Sequence, residues 1–90
     1  MDTTPPAEFP GLSFLHYVLS SIVEDHDKLH IEPTIDDLGI LLTVSVSERD
    51  MGKLIGKNGQ TVQALRTLLR IIGGNHSQRI NMKILEPQPV

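Results

Sequence analysis

The sequence predicts a small α+β domain with the element order α-β-β-α-α-β. Three observations carry this reading. Apolar residues recur at helical spacing over 14–25 and 60–72. They alternate at strand spacing over 40–46 and 79–85. A Gly-Lys-Asn-Gly segment at 56–59 interrupts an otherwise helical stretch. At 90 residues the chain suits one domain. A domain of this size is near the lower end of what one core stabilises alone, so self-association is a reasonable expectation.

Residues 1–11 carry Pro5, Pro6, Pro10 and Gly11 with few apolar anchors, and are expected to form a flexible leader. Residues 87–90 read as a tail, which leaves 12–86 as the folded unit. The first helix is expected over about Phe14–Asp25, where Leu15, Val18, Leu19 and Ile22 make an apolar stripe that Phe14 and Val23 widen. Ser13 can cap it. Glu24, Asp25 and Asp27 lie at the wrong end for the helix dipole, so the helix should stop there. A strand is expected over Leu29–Ile35, and Pro33, which has no N–H, restricts it to a sheet edge or a bulge. Asp36-Asp37-Leu38-Gly39 is a turn, and Ile40–Val46 is the clearest strand, with Ile40, Leu42, Val44 and Val46 on one face. The short turn makes the two strands an antiparallel hairpin.

Ser47-Glu48-Arg49-Asp50 has the form of a capping box with Asp in the place of Glu, and opens a brief helix to Ile55. After the 56–59 interruption, a second helix is expected from Gln60 to Ile72, stopped by Gly73-Gly74. The last strand is expected over Arg79–Leu85, with Ile80, Met82 and Ile84 facing inward.

Composition narrows the function classes. There is no cysteine, hence no disulfide and no thiolate metal site. No apolar run approaches the roughly 20 residues that span a bilayer, and no basic segment precedes an apolar one at the N-terminus. A soluble cytoplasmic protein is the expectation. The net charge of −3 argues at first against nucleic acid as a ligand. Its distribution argues the other way: residues 1–48 hold nine acids and one base, whereas 49–83 hold seven bases and one acid. That segregation gives one cationic side.

The cationic half contains the Gly-Lys-Asn-Gly segment. Glycine at both ends opens backbone angles closed to other residues and removes Cβ atoms from the surface, so a polymer backbone can approach closely. The helix that follows points free N–H groups and the positive end of its dipole at the ligand, and Lys57 adds a mobile cation. This arrangement favours phosphate. Asn58 also tolerates a left-handed conformation, which is reason enough for an asparagine there.

Met51-Gly52-Lys53-Leu54-Ile55-Gly56-Lys57-Asn58-Gly59-Gln60-Thr61-Val62 resembles the I-G-x-x-G-x-x-I motif of KH domains, with Val62 at the final apolar position. The element order resembles the type II KH fold. The Asp50–Gly59 segment and Arg66-Thr67 are similar to those of small bacterial proteins that consist of a single KH domain. The resemblance implies a three-stranded sheet with its helices packed on one face. It also implies that about four nucleotides of single-stranded RNA are held in a groove beside the loop. Carried over by position, Gly56, Lys57, Asn58 and Gly59 would clamp the backbone, Leu54, Ile55 and Val62 would line the groove floor, and Lys53 and Arg66 would reach phosphates at its rim. The family implies a role as RNA chaperone or post-transcriptional regulator, and a partner: a larger RNA-binding protein with a Jag domain and its own KH domain.

The helix 60–72 has more apolar surface than one core face needs. Val62, Leu65, Leu69 and Ile72 form one stripe, and Ala64, Leu68 and Ile71 fall on its flank, where they are candidates for a homodimer interface. The other class of function is therefore a KH-fold interaction module that binds RNA weakly or not at all. The chain has only three aromatic residues, Phe9, Phe14 and Tyr17, all before the motif, which argues against RRM and OB folds that stack bases on rings. Gly52–Lys57 is one spacer short of a P-loop, and Asn58 replaces its hydroxyl residue. His16, His26, His30 and His76 have no metal-ligand spacing. Asp36-Asp37 is explained by turn chemistry. No enzyme activity, small-molecule substrate, metal or cofactor is expected.

Overall fold

A computed structural model describes residues 9–85. The first helix, α1 (Leu12–Ile22), buries Leu15 and Leu19 completely. Its N-cap is Gly11, not Ser13, and it ends before the acids rather than at Asp25. The end has a tertiary cause: the N–H groups of Glu24 and Asp25 are taken by the Asp50 carboxylate, which draws them off the helical path. Phe9–Gly11, placed by sequence in the leader, belong to the packed fold. The Leu12 N–H donates to the Phe9 carbonyl at 3.0 Å, a turn that lays Phe9 against the core and buries Pro10. The rest of the expected leader and the tail lie outside the described residues.

Strands β1 (His30–Asp36) and β2 (Gly39–Ser45) form the expected antiparallel hairpin, with Ile31 opposite Val44 and Ile35 opposite Ile40. Its turn is held by the Leu38 N–H donating to Asp36 Oδ1 at 2.8 Å, a local bond for which Asp is suited. Strand β3 (Ile80–Leu85) pairs parallel with β2, giving the order β1-β2-β3. The edge position of β1 accommodates Pro33. Directly paired residues share a face, so Ile40, Leu42 and Val44 of β2 meet Ile80, Met82 and Ile84 of β3 on the core side. Glu32, Thr43 and Lys83 occupy the other side.

Between β2 and β3 come α2 (Glu48–Ile55) and α3 (Gln60–Asn75), joined through one 3₁₀ turn. Leu54, Val62, Leu65 and Leu69 close over the same sheet face as Leu15 and Leu19, so all three helices contribute to one core. Helix α3 runs on past Ile72, and Gly73-Gly74 lie within its last turns. The stop comes later, in a Schellman arrangement whose left-handed residue is Ser77, with φ +54°. The Ser77 N–H donates to the Gly74 carbonyl and the Gln78 N–H to the Gly73 carbonyl, at 3.3 and 2.8 Å. Gly73 is glycine for a steric reason. A Cβ there would lie 2.4 Å from the Gln78 carbonyl oxygen, because the returning chain passes directly over it.

Candidate nucleic-acid interface

Asp50 fixes the entry to the candidate site. Its carboxylate is fully buried and accepts from the Glu24 and Asp25 N–H groups at 3.0 Å each and from the Ser47 hydroxyl at 3.0 Å. The Asp50 N–H in turn donates to Ser47 Oγ at 3.3 Å, completing the N-cap of α2. The Glu24 N–H, with the Asp25 N–H, the Ser47 hydroxyl and the charge of Lys53, outweighs the cost of burial and keeps this carboxyl below its ordinary value of 3.8. The capping box was legible in the sequence; the reach of Asp50 across to the end of α1 was not.

Two cations of α2 are engaged. Glu24 pairs with Lys53 and, at 3.0 Å, with Arg49. The Lys53 hydrogen bond and charge, aided by Arg49, hold the Glu24 carboxyl below its ordinary range. Lys53, expected at phosphates, thus rests on an acid of the opposite half of the chain, a partner that spacing could not reveal.

The loop has the backbone that its glycines allow. Gly56 has φ +69° and ψ −166°, Asn58 φ +54° and Gly59 φ +73°. A Cβ on Gly56 would also press to 2.6 Å from Thr61 Oγ1, so this glycine is required twice over. Lys57 projects from the loop, exposed and without a salt bridge to any described residue. Helix α3 starts at Gln60 with no side-chain cap and no acid in its first turn. Its positive end therefore faces outward, uncompensated, beside Lys57.

Next to the loop, α2, α3 and β3 enclose an open groove of about 230 Å³ lined by Met51, Ile55, Gly59, Val62, Gln63, Arg66 and Ile84. Ile55 is 37% exposed and offers an apolar surface; Val62 shows only an edge. Leu54 is fully buried, so it supports the groove from the core and cannot line its floor as expected. Arg66 lies at the far rim, where its guanidinium donates to the Met82 carbonyl at 3.3–3.4 Å. Met51, Gln63 and Ile84 were missed by sequence reasoning. Met51 could have been found, since it precedes Ile55 by one helical turn; Ile84 depends on the pairing of β3. On the outer side of α3, Ala64 is exposed, with Leu68 and Ile71 at 44% and 58%.

A three-stranded mixed sheet covered by helices, with a Gly-x-x-Gly loop joining two of them beside an apolar groove, is the architecture of a KH domain. The family model for "KhpA/KhpB, KH domain" matches residues 13–84, and the chain belongs to that family. The chain is 32% identical over 73 residues to a protein named "RNA-binding protein KhpA" of Chlamydia caviae, covering 81% of this chain and 94% of that one. A protein of the same name from Listeria monocytogenes is 32% identical over 69 residues, covering 77% and 91%. Another from Borreliella burgdorferi is 27% identical over 75 residues, covering 83% and 92%. No solved structure matches the chain significantly. No helix among the described residues is long and apolar enough to cross a membrane.

Proposed function

We propose that this chain binds single-stranded RNA, holding about four nucleotides in the groove beside Gly56–Gly59. The observation that carries this reading is the glycine-ended loop with exposed Lys57 at the uncapped start of α3, opening directly onto an apolar groove. Loop and helix end hold the sugar–phosphate backbone. Ile55 and Ile84 give bases an aliphatic surface, and Gln63 and Arg66 supply polar contacts to base edges or phosphate. The naming of its relatives as RNA-binding proteins supports the same reading. The KH unit takes in the described residues 9–85, and the role is that of an RNA chaperone or post-transcriptional regulator in the cytoplasm, without enzymatic activity.

Exposed Leu68 and Ile71 favour a second reading, in which the fold serves protein contact. A homodimer through Ala64, Leu68 and Ile71, or pairing with the larger KhpB-type protein with which the family description couples KhpA, would cover them. The double variant K57D/N58D separates the two. These side chains carry no core, so the fold should persist while RNA binding falls by at least tenfold, read by fluorescence anisotropy. Unchanged RNA affinity, or none in the parent, favours the contact module. A mass that stays monomeric at high concentration rules out the homodimer.

A further inference from the structure

The loop-side groove is one end of a longer seam. Helix α3 and strand β3 border each other along it: Val62 and Gln63 share a groove with Ile84, and Arg66 bonds the Met82 carbonyl. Farther along, Arg70 and Gly74 meet Ile80 and Asn81 in a second open cavity of about 550 Å³. Its wall is completed by the chain reversal at Ser77, Gln78 and Arg79. No acid lines it, and neither Arg70 nor Arg79 forms a salt bridge with a described residue. Arg70 and Arg79 thus line one cavity of mixed polar and apolar surface together with Ser77, Gln78, Asn81 and Ile80. Guanidinium planes stack on unpaired bases and bind phosphates; amides read base edges. Four steps along β3, from Ile84 to Ile80, span about 13 Å, a distance that a short stretch of single-stranded RNA can cover.

We infer that the Arg70–Arg79 cavity is a second RNA subsite, which takes nucleotides of the same strand beyond the four held at the loop. This rests on the RNA-binding reading above. It makes the length of RNA recognised by one copy of the chain greater than the loop groove alone allows.

The test uses fluorescein-labelled oligoribonucleotides of random sequence, four and eight nucleotides long, titrated with the parent, R70A/R79A, R70K/R79K and K57D/N58D. An 8-mer offers a four-nucleotide groove about five registers, so tighter binding of the 8-mer is not in itself support. The salt dependence decides. Two phosphate contacts on a single strand contribute about 1.4 to the slope of log K against log salt, and up to roughly 25-fold in affinity at 0.1 M salt. R70A/R79A should lose that slope and 10- to 25-fold affinity, as an order of magnitude from the same rule, for the 8-mer alone. R70K/R79K should keep the slope, because it keeps the charge. K57D/N58D should lose both oligomers. Equal 8-mer affinity and slope in the parent and R70A/R79A overturns the subsite while leaving the loop groove standing. Failure of the parent to bind either oligomer overturns both. A melting curve of R70A/R79A coincident with the parent's excludes loss of fold, as expected for two exposed side chains.

Discussion

Adjacent glycines near the end of α3 should respond to alanine in opposite directions. Both Gly73 and Gly74 are in helical conformation, and in an open helix alanine would add up to about 1 kcal/mol of stability. At Gly74 a Cβ meets nothing within 4 Å, so G74A should realise about 0.5–1 kcal/mol of that gain. At Gly73 the same atom would lie 2.4 Å from the Gln78 carbonyl oxygen and 3.1 Å from Ile80 Cγ1. Relief requires the backbone to move by about 1 Å where the Gln78 N–H is bonded to Gly73 and β3 begins. An overlap this deep with backbone belongs in the upper part of the about 1–3 kcal/mol that overpacking costs, about 2–3 kcal/mol, so the net effect of G73A is a loss of about 1–2 kcal/mol after a propensity gain of about 1 kcal/mol. For a domain this size, 1 kcal/mol shifts Tm by about 4–8 °C. G73A should therefore melt about 4–16 °C below the parent and G74A about 2–8 °C above it, in thermal unfolding followed by far-UV circular dichroism at one fixed protein concentration. A G73A protein as stable as the parent would refute the close passage of the returning chain over α3.

Two further outcomes follow from the ion pairs and the buried carboxylate. The folded state holds the Asp50 carboxyl below its ordinary 3.8, so its contribution is complete above that value and fades as pH falls through the lower folded one. D50N should be less stable at neutral pH and show a flatter loss of stability below about pH 4, in urea unfolding across a pH series; parallel profiles for parent and variant would remove Asp50 from the acid response. Glu24 occupies two cations beside the loop, so E24Q should free Lys53 and Arg49. The expected gain in RNA affinity is about fivefold at 0.1 M salt for one added phosphate contact, with a steeper salt slope. Unchanged affinity and slope would mean that neither cation reaches RNA.

The sequence made legible whatever depends on local periodicity. The alternation in β2 announced its buried face, Pro33 placed β1 at an edge, and the glycines at 56 and 59 marked a loop whose observed φ values are the left-handed ones that they permit. Contacts across the chain were not legible. Gly73-Gly74 looked like a helix stop because a glycine pair is most often a conformational device, whereas Gly73 answers to a carbonyl five residues on and the left-handed position fell to Ser77. Leu54 carried the same apolar signature as Ile55, and only the packing of α2 decided that one is buried and the other faces the groove. The pairing of Glu24 with Lys53 joins residues far apart in sequence, so charge segregation along the chain overstated segregation on the surface.

The dependence of the groove on β3 bears on when the protein becomes competent during synthesis. Loop, α2 and α3 leave the ribosome before β3, but α2 has only eight residues, too few to hold a helix alone. The far wall, Ile84, and the carbonyl that seats Arg66 belong to the last described strand, which must insert beside β2 in a pairing that reaches back about 40 residues. A nascent chain that stops before Ile80 has the whole Gly-x-x-Gly motif but lacks the Ile84 wall of the groove and the carbonyl that seats Arg66. On the proposed reading, the RNA-binding groove is thus completed only when β3 has docked beside β2.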